Sequence, residues 1–233
     1  MRKLSHLIIV LISLFVAVAS ANFYIGLGAG ITMGSINTQL TYPTDQSAPT
    51  NASYNYSLTA ATPRVSLGYQ HQLSKRWGID TVVSAEFNAG LATTTVNNWF
   101  PATATAAAVN VNTTTTLPLV YAADILAVYQ LNSTASWFVG PGVALGQFTS
   151  TSDTTGGVTG ISGSYSQNLV GGQLMAGVDL SLSDRCTLRV SDTYTLYPAT
   201  SPTTWIEPET GESFAGHYTL STNTVMATIL FNF

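Results

Sequence analysis

In the last nine residues of the chain, apolar or small side chains occupy every second position, and this pattern constrains the fold more than any other feature. The positions between them hold Met226, Thr228, Leu230 and Asn232. A period of two predicts a β-strand, because successive side chains leave a pleated backbone on opposite faces. One face of this strand suits lipid and the other suits a packed, more polar interior. The apolar or small side chains at every second position are Val225, Ala227, Ile229, Phe231 and Phe233.

The first residues have the pattern of a secretory signal. Arg2 and Lys3 give a basic start, residues 7–18 form an apolar run, and a small-x-small cleavage pattern follows. This order is typical of a signal peptide that is removed from the mature protein. The apolar run is shorter than the about 20 residues that a membrane-spanning helix needs. We therefore expect residues 1–21 to be cleaved and residues 22–233 to form one domain.

Charged residues are scarce in this chain. Asp, Glu, Lys and Arg make up 8% of it, against about 25% in ordinary soluble proteins. Removal of Arg2 and Lys3 leaves five basic side chains against eleven acidic ones. This balance argues against a nucleic-acid partner, which would need a basic surface. The single cysteine, Cys186, cannot form an internal disulfide, and no residue pattern indicates a cofactor or a metal ion.

Eight segments show period-two patterning, and each is long enough to cross the hydrocarbon of a membrane as a tilted strand. They predict an all-β fold, an eight-stranded antiparallel up-and-down transmembrane β-barrel. The fourth segment is expected to send Leu117 outward with its other odd-numbered residues. The seventh puts Asp192 on its apolar face, which leaves a bulge or a different register open. The segments are residues 23–39, 58–70, 77–91, 115–130, 137–149, 165–182, 186–197 and 217–233.

The connections between these segments alternate between short and long. Short turns with long loops at the opposite end are typical of outer-membrane barrels, because an up-and-down barrel puts every second connection on the same side. The three short connections leave the basic residues Lys75, Arg76 and Arg185 on the periplasmic side. The four long ones are polar and are expected to be loops, at residues 42–57, 92–114, 150–164 and 198–216.

Aromatic residues mark the short-turn end of the predicted barrel. Trp77 and Trp137 begin strands directly after short turns, and Tyr69 and Tyr129 close strands just before them. Together with Phe23 they predict one girdle of amphipathic rings at the level of the lipid headgroups.

The wall of such a barrel must close, because no water satisfies an open strand edge in lipid. With eight strands, side chains fill the interior, so a wide pore is not expected. Buried charges are tolerated only when they are paired and hydrogen-bonded. We therefore predict a luminal network in which two arginines bridge carboxylates, while inward glycines leave room for larger neighbours or for water. The predicted inward charges are Arg64, Asp80, Glu86, Asp124, Asp179 and Arg189.

Taken together, the signal, the strand pattern and the terminal Phe231-Asn232-Phe233 resemble those of small bacterial outer-membrane barrels of the OmpA/OmpX or opacity type. The resemblance covers the whole mature chain, and it is architectural. It implies that Phe231 and Phe233 are read as an insertion signal by the barrel-assembly machinery. It also implies a surface protein in the bacterial outer membrane, among lipid and lipopolysaccharide, with loops serving adhesion, host contact or envelope integrity.

Residues outside the strand pattern leave two other functions open. Trp99 and Phe100, in a Thr-rich loop, either anchor a partner or rest among headgroups. His217 has Ser221 nearby in sequence, and a lipid or peptide hydrolase at the barrel rim would need a base within hydrogen-bond reach of its nucleophile. No recognised motif surrounds His217. The preferred interpretation is a structural or interaction protein that is not an enzyme. The alternatives are a narrow porin-like channel and, less favoured, the rim hydrolase.

Overall fold

The computed structural model describes residues 22–41, 51–89, 92–100, 109–155, 162–199, 203–206 and 213–233. The predicted signal at residues 1–21 lies outside these ranges, and its cleavage stays a prediction. No helix in the described ranges is long and apolar enough to cross a membrane.

The described residues form strands and turns. The strands, numbered in chain order, are β1 (Asn22–Thr41), β2 (Asn51–Gln72), β3 (Trp77–Phe87), β4 (Ala92–Phe100), β5 (Val109–Gln130), β6 (Ala135–Thr155), β7 (Ser162–Ser183), β8 (Cys186–Tyr197), β9 (Thr203–Ile206) and β10 (Ser213–Asn232).

Eight of these strands close into one antiparallel ring, in the order β1, β2, β3, β5, β6, β7, β8, β10 and back to β1. The remaining two extend it, since β4 pairs with β5 and β9 pairs with β10. Directly paired residues can be followed from strand to strand around the ring. The series starts at Tyr24 of β1 and returns to β1 at Gly34, ten residues further along the strand. This stagger of ten residues corresponds to strands tilted by roughly 40° from the barrel axis. The predicted all-β, eight-stranded antiparallel barrel is confirmed.

Alternate side chains face the lumen and the exterior, as a pleated strand requires. In β8, for example, Ser191 and Thr193 are buried, while Val190 and Tyr194 are exposed. Around the ring, the exposed positions form an apolar belt that polar groups rarely interrupt. Its large side chains include Leu27, Ile31, Val65, Leu67, Val83, Ile125, Val143, Leu174, Val178, Leu196 and Val225.

The expected outward position of Leu117 is wrong, because its side chain is 2% exposed and lies in the lumen. The pairing of β5 with β6 shifts register between Thr116 and Leu119. A β-bulge there adds one residue to a strand and exchanges its two faces. Pro118, which has no N–H to donate to a ladder, falls inside this irregularity.

The long connections are shorter than the sequence indicated, because strands continue into all four. The β1–β2 ladder reaches Thr41 paired with Asn51, and the β6–β7 ladder reaches Asp153 paired with Ser162. β4 and β9 lie wholly inside segments that were expected to be loops. The error has a physical cause: the polar composition of these segments indicates a loop, yet threonine favours strands and a ladder in water needs no apolar face.

The seventh predicted strand contains no bulge at Asp192. Asp192 pairs in regular register with Ala176 of β7 and Val225 of β10. Its side chain is therefore outward and exposed, which settles the alternative that the sequence left open.

Candidate functional site

Arg189 is the centre of a hydrogen-bonded cluster in the lumen, near the short-turn end. Its Nε and Nη2 donate to the two carboxylate oxygens of Asp179, each at 2.8 Å. Its Nη2 also donates to Asp80 Oδ2 at 2.7 Å, and its Nη1 to Tyr24 Oη at 3.0 Å. The guanidinium carbon lies 4.5 Å from the centroid of the Phe138 ring. One arginine thus joins β8 to β7, β3, β1 and β6 across the lumen.

Tyr24 completes this cluster by reaching from β1 over β2 to β3. Its hydroxyl donates to Asp80 Oδ2 at 2.8 Å and approaches Oδ1 at 3.1 Å. The β2 residue opposite Tyr24 is Gly68, and a Cβ built there would overlap the Tyr24 ring. The glycine is therefore required because the ring lies flat against the β2 backbone.

Arg64 forms a second ion pair in the lumen, further from the short-turn end than the Arg189 cluster. Its partner is Glu86, the residue opposite it on β3, and Arg64 Nε donates to Glu86 Oε1 at 2.9 Å. Both side chains are less than 10% exposed. The structure thus pairs Arg64 with one carboxylate, whereas Arg189 bridges two.

Asp124 forms no ion pair with an arginine among the described residues. The side-chain amide of Gln173 donates to Asp124 Oδ1, and the two residues meet over Gly142, which stands between them on β6. Asp124 Oδ2 is buried without a hydrogen-bond partner among the described residues. The side-chain hydroxyl oxygens of Ser84, Ser191 and Thr193 are likewise buried without a hydrogen-bond partner among these residues. The middle of the lumen is therefore polar and contains more acid than base.

Two apolar layers, which the sequence did not reveal, fill the lumen above and below this polar middle. The lower layer, toward the short turns, consists of Tyr24, Val82, Leu126, Val128, Phe138, Met175 and Leu230. The upper layer, toward the long loops, contains Ile36, Leu58, Leu117, Phe148, Tyr197, Tyr218 and Leu220. The available signal was the presence of large apolar residues at inward positions of the strands. Because both layers are buried, the lumen is a packed core.

A row of hydroxyl groups supports the wall between the ion pairs and the upper layer. Thr32 Oγ1 lies 2.8 Å from Thr224 Oγ1 and 2.7 Å from Thr62 Oγ1. Thr62 then donates to Asn88 Oδ1 at 2.7 Å, and Asn88 Nδ2 donates to the Leu117 carbonyl at 2.8 Å. The row runs from β10 through β1 and β2 to Asn88, which directly follows β3, and ends at the backbone of β5.

The aromatic residues expected at the short-turn end lie in contact there. Trp77 is 4.8 Å from Tyr129 and 6.3 Å from Trp137, measured between ring centroids. The rings of Phe23 and Tyr69 are 5.0 Å apart. Such rings suit the boundary between hydrocarbon and water.

The terminal phenylalanines belong to the same end of the barrel. Phe231 and Phe233 are both exposed, and Phe233 N donates to the Phe23 carbonyl at 3.0 Å. This bond continues the closure of β10 on β1. The role of Phe231 and Phe233 as an insertion signal stays a prediction.

The remaining candidate residues do not form a catalytic arrangement in the described ranges. His217 and Ser221 share one face of β10 but stand four residues apart, about 13 Å along a strand, which is beyond hydrogen-bond reach. Trp99 and Phe100 lie in β4, and their side chains are outside the described part. No group of three or more metal-ligating side chains occurs among the described residues.

A polar cavity of about 240 Å³ opens at the short-turn end of the lumen. Gln70, Arg76, Gln130 and Asn232 are among its lining residues, with Tyr24 and Leu230 of the lower layer. Asp179 also lines this cavity, so the cavity reaches the Arg189 cluster, which lies at the level of the lower layer.

Neither a family model nor a curated protein matches the chain. Similar solved structures include outer membrane protein OprG of Pseudomonas aeruginosa, at 11% identity and a TM-score of 0.47, covering 91% of this chain and 96% of that one. Outer membrane protease OmpT of Escherichia coli is 9% identical, with a TM-score of 0.47, covering 91% and 97%. Neisserial surface protein A is 12% identical, with a TM-score of 0.41, covering 91% and 97%. Because these scores are below 0.5, the fold assignment rests on the strand pairing of this chain.

Proposed function

We propose that the protein is a bacterial outer-membrane barrel with a structural or interaction role, which contacts lipopolysaccharide and a host or surface ligand through its long-loop end. The observation that carries this proposal is the packed lumen. A barrel whose interior is filled by two apolar layers and two ion-pair clusters offers solutes no continuous aqueous path. Its free binding surfaces are then the exterior and the two ends.

The long-loop end supports the proposal by its construction. On β1, eight residues of paired strand follow Met33, the last large apolar residue of the belt on that strand, and reach Thr41. At about 3.3 Å per residue this is roughly 26 Å of strand. The described ladders therefore extend beyond the belt, and their ends stand away from the membrane, where a soluble or cell-bound partner can reach them.

The apolar belt supports the membrane placement. In water, its exposed side chains would form a large apolar surface, which is unfavourable in free energy. In the hydrocarbon of a membrane the same surface carries no such cost. The ring also satisfies strand edges that lipid would leave unpaired.

Replacing the segment at residues 101–108 with a short Gly-Ser linker should abolish partner contact without affecting the barrel. Bacteria that display the wild-type protein should bind immobilised extracellular-matrix proteins more strongly than a deletion strain, and the linker variant should bind like the deletion strain. Heat-modifiable migration on gels controls for folding. Equal binding by the wild-type and deletion strains would remove the interaction role.

Purified wild-type protein should be electrically silent in a planar lipid bilayer, because the two apolar layers close the lumen. Current should be recorded over hours at both polarities, with a general porin as the positive control. Reproducible conductance steps from the wild-type protein would favour the narrow channel over the interaction role.

A further inference from the structure

An acidic side chain lies on the outward face of β8, in the middle of the apolar belt. Asp192 follows exposed Val190 and precedes exposed Tyr194 on that face. Its neighbour on β7, Ala176, stands midway between Leu182 and Val170, which are the ends of the outward apolar run on that strand. Asp192 is therefore placed near the centre of the hydrocarbon.

Two more polar side chains continue from Asp192 toward the long loops. Tyr194 is 50% exposed, and its neighbour on β10 is Asn223, whose Oδ1 is buried without a hydrogen-bond partner among the described residues. Asp192 and Tyr194 likewise make no side-chain hydrogen bond within the described ranges. Lipid tails offer no hydrogen bonds, so polar groups at this depth normally face protein or water.

The surroundings of these groups are apolar and partly small. Leu174, Val190 and Val225 are exposed beside Asp192, and Ala176 and Ala227 are exposed on the strands to either side. We call the patch formed by Leu174, Ala176, Val190, Asp192, Tyr194, Asn223, Val225 and Ala227 the β8 face. It combines a polar centre with an apolar rim and small residues that permit close approach.

We propose that the β8 face is an interface between two copies of this chain within the membrane. The donors and acceptors of the face are self-complementary, because Asp192 accepts hydrogen bonds while the Tyr194 hydroxyl, two residues along the same face, donates them. Two copies inserted in the same direction are related by an axis along the membrane normal. Such an interface presents the same patch on both sides, so each Asp192 accepts from Tyr194 of the second copy.

This inference rests on the proposed membrane placement and goes beyond the proposed function, because loop-mediated contact requires no dimer.

The proposed interface predicts that Asp192→Leu and Tyr194→Phe each raise the dissociation constant of the dimer by about tenfold or more. The matched control is Tyr121→Phe on β5, since Tyr121 is also outward and is 53% exposed. This control should leave the constant unchanged.

The measurement is the energy transfer between donor- and acceptor-labelled protein in lipid vesicles, followed as the protein is diluted with lipid. A wild-type protein that stays monomeric at high protein-to-lipid ratio would overturn the proposal. So would variants at 192 and 194 that associate as well as the Tyr121→Phe control. Heat-modifiability, measured in parallel, shows whether the barrel is folded and inserted, so failure of the dimer is distinguishable from failure of the membrane placement.

Cross-linking in cells tests the location of the interface. In a Cys186→Ala background, Val190→Cys should give a disulfide-linked dimer when molecular iodine, an oxidant that enters the membrane, is added and is reduced to iodide. Val143→Cys, 58% exposed on the β6 wall, should not. Equal cross-linking from both walls would indicate crowding and overturn the proposal, as would a cross-link from Val190→Cys to a different protein in place of the dimer.

Discussion

Replacing Arg189 by methionine should lower the free energy of unfolding by about 3–5 kcal/mol, the range observed when one member of a buried ion pair is removed. Asp80 and Asp179 would then lie in the lumen without a counter-charge, and both are 5% exposed or less. Tyr24 would also lose the donor that now bonds its hydroxyl. The measurement is reversible unfolding by urea in lipid vesicles, monitored by tryptophan fluorescence.

Arg185→Met is the matched control for this variant. Arg185 lies in the turn between β7 and β8 and is exposed, so its replacement should change the free energy of unfolding by less than about 0.5 kcal/mol. Adding Asp80→Asn and Asp179→Asn to Arg189→Met should recover part of the loss, because the buried charges are then absent. An Arg189→Met protein as stable as the control would show that the cluster contributes nothing to the fold.

Replacing Gly68 by valine should also destabilise the barrel strongly. The new side chain would occupy the position of the Tyr24 ring, and overpacking of this kind costs about 1–3 kcal/mol. Moving the ring would further break the hydrogen bond from Tyr24 to Asp80, and an unsatisfied buried group adds about 1–3 kcal/mol. The same urea experiment measures the sum.

Gly172→Val provides the control for this substitution. Gly172 is outward on β7, and a Cβ there meets no atom within 4 Å, so the variant should be as stable as the wild type or slightly more so. If Gly68→Val and Gly172→Val had equal stability, the close approach of Tyr24 to the β2 backbone would be contradicted.

Much of the barrel could be predicted from local sequence, because strand formation and side-chain alternation depend on neighbouring residues. The positions of Arg64, Asp80, Asp124 and Arg189 on the inward face follow from that alternation alone, since a period of two assigns every residue to a side once the apolar side is known. Leu117 is the exception, because a bulge beside Pro118 reverses the alternation.

The contacts inside the lumen could not be predicted in the same way. Arg189 and Asp80 are 109 positions apart in sequence and meet at 2.7 Å. Whether they meet depends on the stagger accumulated around the ring, and a shift of two residues in one ladder would keep every side chain on its face while separating them. The sequence indicated that Arg64 would bridge carboxylates, yet the register pairs it with Glu86 and leaves Asp124 to Gln173.

The sequence by itself determined the composition of the two faces, the positions of the crossing strands and the short-turn end with its aromatic rings, since each depends on the order of neighbouring residues. Only the tertiary structure decided which inward side chains pair, that apolar layers pack the lumen, and that strands continue past the belt into polar segments. The physical reason is that these features depend on the register and closure of the whole ring, to which every ladder contributes and which no single segment encodes.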